Sequence, residues 1–149
     1  DAWRSINAGI LGLIVAMLMV GRGLEQTGAV DLIVSTIAPT LSTLSPLMVL
    51  LAVYALTSIL TEAVTNAAVA VILTPLVIGL ATQMGIEPRA LVLAVMFGAS
   101  ASFASPIGYQ TNTIVYSTGN YAFSDFLKIG VPMNIIAGLA ACGAISPAV

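Results

Sequence analysis

Thr61, Glu62, Thr65 and Asn66 place two hydroxyls, a carboxylate and an amide between two apolar stretches, residues 50–60 and 67–73. Further along, Ser105, Pro106, Gly108, Thr111, Asn112 and Thr113 interrupt another apolar run. An asparagine offers both an acceptor oxygen and a donor amide, and threonines add hydroxyls. Where a helix stops its last carbonyls are free, and where one starts its first amides are free. Carbonyl oxygens suit a hard cation such as sodium; helix N-terminal amides, near Asn66 or Asn112, suit an anion. This is binding chemistry, not bond-making chemistry. The chain has no His and a single cysteine, Cys142, and it carries neither a Gly-x-Ser-x-Gly nor a His-Glu-x-x-His pattern, so it does not read as an enzyme.

Composition sets the solvent. Of 149 residues, 59% are apolar and only 7% charged, with a mean hydropathy of +1.09, against roughly a quarter charged in an average soluble domain. The chain reads as an all-α membrane protein lying in a lipid bilayer. There, a polar break between apolar helices survives only where protein encloses it or a cavity wets it. Two such breaks are the pattern of discontinuous helices in secondary transporters. Four scattered basic residues, Arg4, Arg22, Arg89 and Lys128, and a net charge of −2 leave no patch for nucleic acid. Cys142, alone in an apolar segment, makes neither a disulfide nor a soft-metal site.

One membrane domain, residues 1–149, positions these groups. Residues 3–24 form a spanning helix, with Trp3 at the interface and Arg4 and Arg22 flanking. Residues 29–44 read as an interfacial amphipathic helix, on which Leu32, Ile33, Ile37 and Leu41 share one face. Residues 46–84 form a helical hairpin with its apex at 61–67, and 88–118 a helix broken at 104–112. Residues 124–146 form the last span, N-capped at Ser124-Asp125. From spacing alone Thr65-Asn66 is equally a helix cap or a ligand site. Glu62 is either a proton carrier or a structural carboxylate that bonds backbone amides at the turn. Ser105-Pro106 is a kink or part of a longer unwound stretch.

With Leu24-Glu25-Gln26-Thr27-Gly28, Leu60-Thr61-Glu62-Ala63-Val64-Thr65-Asn66, Ser105-Pro106-Ile107-Gly108-Tyr109-Gln110-Thr111-Asn112 and Tyr121-Ala122-Phe123-Ser124-Asp125-Phe126, the chain resembles the C-terminal half of a divalent anion/sodium symporter family permease. The last two motifs are most similar to bacterial members that carry regulatory domains between their halves. The resemblance implies one inverted repeat of a secondary transporter, with a re-entrant hairpin and a broken transmembrane helix. It implies sodium-coupled carriage of sulfate or di- and tricarboxylates by an elevator motion. A second, N-terminal repeat, a homodimer and the bacterial cytoplasmic membrane complete the implied setting, with no cofactor beyond sodium as coupling ion.

Carried onto matching positions, the resemblance assigns sodium to Thr61, Val64, Asn66 and Ala104, and substrate to Thr65, Asn66, Ala67, Ser105, Pro106 and Asn112. Ala67 departs from the family pattern, which has a hydroxyl there, and the spacing from Ser105-Pro106 to Asn112 is stretched. Two other readings stay open: a proton-coupled carrier of another anion, and a membrane assembly subunit whose polar turns are only caps. The missing initiator Met and the single repeat imply a piece of a longer permease, and four basic residues do not fix its orientation.

Overall fold

Prolines and glycines punctuate this chain into helices. The computed structural model describes residues 8–148, so the expected interfacial placement of Trp3 and Arg4 lies outside the described residues. Among the described residues seven α-helices follow in order: α1 (Ala8–Gln26), α2 (Ala29–Leu41), α3 (Pro46–Thr61), α4 (Asn66–Met84), α5 (Pro88–Ser100), α6 (Gln110–Thr118) and α7 (Phe123–Ile145). A 3-10 turn, Ser146–Ala148, ends the described chain, and no strand occurs among the described residues. Pro46 and Pro88 open α3 and α5, where a missing N–H costs nothing and a fixed φ favours the first turn. Gly85, at φ 70°, ends α4 in the left-handed conformation that a side chain would disfavour. By length and composition, α4 and α7 suffice to cross a membrane.

The helix at the centre is α5, which packs against α3, α4 and α7; α1 and α2 lie against α4, and α7 against α3. Its small buried residues Ala90, Ala94, Gly98 and Ala99 make close packing possible. A Cβ on Gly98 would fall 2.8 Å from Thr57 Cβ and 2.9 Å from the Tyr54 carbonyl. Around this crossing, Leu50, Leu91 and Val95 are fully buried. On the far side α7 meets the chain between α5 and α6, where a Cβ on Gly130 would collide with the backbone of Phe103 and Ala104.

Two details differ from the sequence reading, and packing settles which stripe of α2 is buried. On α2 the buried stripe is Val30, Val34 and Ala38, whereas Leu32 is 70% exposed. The reason lies on α4: Gly79 leaves a notch in which Val30 and Val34 seat, and a four-residue spacing selects that stripe. The second break runs over residues 101–109, three residues earlier than expected, and Asn112 belongs to the first turn of α6. The helix yields early because the Ala101 carbonyl bonds across to α3 and Ser102 across to the α3 terminus. Finally, α7 is capped at Ala122, whose N–H donates to Asp125 Oδ2 at 3.0 Å, and Ser124 lies inside the helix.

Gly130→Ala should push α7 off the backbone of Phe103 and lower stability by about 1–3 kcal/mol, read as a drop in thermal midpoint in detergent. Gly143→Ala, with open space at its Cβ, should change stability by no more than about 0.5 kcal/mol.

Candidate functional site

Helix α3 ends at Thr61 and α4 starts at Asn66, leaving a four-residue turn at Glu62–Thr65. The last turn of α3 closes on itself: the N–H groups of Ala63 and Val64 both donate to the Leu60 carbonyl. Thr65 caps α4, its Oγ1 accepting from the Ala68 N–H at 3.4 Å, so the cap reading of this residue describes its geometry. Asn66 does something further. Its Oδ1 accepts from Thr61 Oγ1 at 2.7 Å, tying the first residue of α4 to the last of α3.

Thr61 is fully buried, and its hydroxyl also lies 3.0 Å from the Ala99 carbonyl near the end of α5. One hydroxyl hydrogen cannot serve both acceptors at once. With the amide oxygen turned inward, three oxygens from α3, α4 and α5 therefore meet around a single donor hydrogen. Such an excess of acceptors is what a hard cation would satisfy.

The broken stretch docks on this apex through cross-bonds. Ser102 Oγ donates to the Thr61 carbonyl at 3.4 Å, and Ser58 Oγ donates to the Ala101 carbonyl at 3.1 Å. Glu62 Oε1 accepts from the Ala104 N–H at 2.9 Å and from Asn134 Nδ2 at 2.8 Å, joining apex, break and α7. These bonds run to the break and to α7 rather than to amides of the turn itself. Gly108 makes the approach possible: a Cβ there would stand 2.9 Å from the Thr61 carbonyl and 3.3 Å from Glu62 Cα. Asn112 then closes the stretch from α6, its two amide hydrogens going to the carbonyls of Ser102 (2.9 Å) and Ser105 (3.0 Å).

Of the residues expected to hold sodium, Thr61 and Asn66 touch directly, whereas the Ala104 N–H is bonded to Glu62, the residue after Thr61. Val64 lies on the outer face of the turn with its side chain 45% exposed. Among the expected substrate residues, Thr65 is exposed, Asn66 and Ala67 are half-buried, and Asn112 is half-buried with its amide engaged. Ser105 is only 5% exposed and its Oγ accepts from the Ile107 N–H at 3.1 Å, while Pro106 is fully buried. Ser105 and Pro106 thus shape the break from inside. Sequence reasoning overlooked Asn134. Its signal was available, as a lone amide in the middle of an apolar helix needs a partner.

A model of the citrate transporter family (CitMHS) matches residues 1–148. The chain is 37% identical over 140 residues to an uncharacterized transporter of Synechocystis sp., covering 94% of this chain and 23% of that protein. An uncharacterized transporter of Escherichia coli is 35% identical over 147 residues, covering 99% and 24%. Sodium/sulfate cotransporter 1 of Chlamydomonas reinhardtii is 32% identical over 120 residues, covering 80% and 12%. The chain spans about a quarter of the length of the first two of these relatives.

Asn112→Leu would leave the Ser102 and Ser105 carbonyls without their donor and should destabilise the protein by about 1–3 kcal/mol. Thr118→Ala, which removes an exposed hydroxyl bonded only within α6, should leave the thermal midpoint in place.

Proposed function

The chain belongs to the citrate transporter (CitMHS) family, and from that membership we propose that it is one inverted repeat of a sodium-coupled permease for a divalent anion, sulfate or a di- or tricarboxylate. The observation that carries the reading is the meeting of Thr61, Asn66 and the Ala99 carbonyl, three oxygens with one donor hydrogen between them. Sodium takes oxygen ligands, and this junction supplies them from three helices. The neighbouring first turn of α4 holds amides with no carbonyl to bond within the helix, so it favours a negatively charged group. One break therefore serves both solutes: the cation behind it among oxygens, the anion before it at Thr65, Asn66 and Ala67.

Sulfate and sodium are named together in the Chlamydomonas relatives, and this supports sodium as the coupling ion here. The substrate half at Ser105 and Pro106 acts through the shape and backbone of the break, since both residues are buried. The second repeat of the same permease would complete the site. A homodimer moving its transport units against a scaffold, in a cytoplasmic membrane, fits the interlocked packing of α3, α5, the break and α7 as one body. Val64 would contribute through its carbonyl only.

The test is uptake into proteoliposomes of labelled sulfate, succinate and citrate, with and without a sodium gradient, using the full permease. Asn66→Ala should abolish sodium-driven uptake while folded protein is retained; Thr65→Ala should weaken it about tenfold or less, as expected for loss of one hydrogen bond. Uptake by Asn66→Ala equal to that of the unaltered protein would remove the assignment.

A further inference from the structure

Between α3 and α7 lies a groove of about 510 Å³, whose wall includes Tyr54, Ser58, Glu62, Ala104, Asn134 and Gly138. Two acceptor atoms there, Glu62 Oε2 and Asn134 Oδ1, are buried, and neither meets a donor among the described residues. Their companion atoms are engaged: Glu62 Oε1 accepts from Ala104 N–H and Asn134 Nδ2. Turning the Asn134 amide over does not help, because it would set Oδ1 against Oε1, acceptor against acceptor. The two nearby hydroxyls are engaged as well. Ser58 donates to the Ala101 carbonyl, and Tyr54 donates to the Asn134 carbonyl at 3.1 Å.

Among the described residues no basic side chain pairs with the carboxylate. Helix α3 and the broken stretch carry no Lys or Arg, and the single Lys on α7, Lys128, sits 3.8 Å from Asp125 at the exposed start of that helix. Arg89 is in the first turn of α5, at the end opposite the break. An acceptor atom shielded from water and left without a donor is costly, and Glu62 Oε2 and Asn134 Oδ1 are two such atoms on side chains already joined by the Nδ2–Oε1 bond.

We propose that Glu62 and Asn134 bind a monovalent hard cation, sodium-like in its preference for oxygen, at a site separate from the Thr61–Asn66 junction. One carboxylate matches one unit of charge, and both vacant atoms are oxygens. No group of three His, Cys, Asp or Glu side chains occurs among the described residues, so the donor set does not suit a transition metal. Water in the groove completes the coordination shell. Bound there, the cation fastens the hairpin apex to α7. This inference goes beyond the transport reading and does not depend on which anion is carried.

Equilibrium binding of radioactive sodium to the full protein in detergent tests it. Asn134→Leu should bind one sodium ion fewer per chain than the unaltered protein. Asn66→Ala should lose a different one, and the double variant both. Asn134→Asp, which keeps an acceptor and adds charge, should retain the ion and bind it more tightly. Full stoichiometry in Asn134→Leu, with loss confined to Asn66→Ala, would overturn this site and leave the apex assignment standing. Equal loss in Asn134→Asp and Asn134→Leu would also overturn it, as that marks a packing defect.

Discussion

In a bilayer interior, each backbone group freed by a helix break must find a partner within the protein, since an unsatisfied one costs several kcal/mol. This chain breaks its helices twice, at Glu62–Thr65 and over residues 101–109, and largely satisfies one break with the other. Ser102 serves the Thr61 carbonyl, Glu62 serves the Ala104 amide, and Ser58 serves the Ala101 carbonyl. Irregular backbone at Ala101, Ser102, Ala104 and Ser105 is thereby buried without being stranded.

The same constraint explains the residue types. Short hydroxyls reach a carbonyl across a tight crossing, while Asn112 supplies two donors to two carbonyls at once. Glycine is needed at 108 and 130, where backbone meets backbone and a Cβ has no room. Rigidity follows: α3, the break and α7 are pinned to one another at Tyr54, Glu62 and Asn134. A transporter needs such a unit, because ligand groups contributed by separate helices hold their geometry only if those helices move together.

Much of this was legible in the sequence for a physical reason. Polar residues amid apolar ones in a lipid-borne chain mark the places where helix stops, and Thr61, Asn66, Ser105 and Asn112 all sit at or beside the observed breaks. The all-α class followed from composition, and the transporter family from the motifs at the two breaks and their flanks. Other features depended on tertiary contact. The early end of α5 at Ser100 comes from bonds to Ser58 and Thr61, 43 and 41 residues away in sequence, which no local pattern encodes. The stripe that α2 buries was set by the Gly79 notch on α4. For Asn134 the need for a partner is written in the local sequence, but the partner itself, Glu62, lies 72 residues earlier.

Mutual satisfaction of the two breaks is most directly tested by backbone hydrogen exchange at Ala104 in the protein held in nanodiscs. Its N–H lies outside any helix yet is bonded to Glu62. Exchange as slow as in the buried part of α5 is the expected result. Exchange as fast as in the exposed turn at residues 119–122 would contradict the claim that the hairpin apex and the broken helix form one enclosed polar unit.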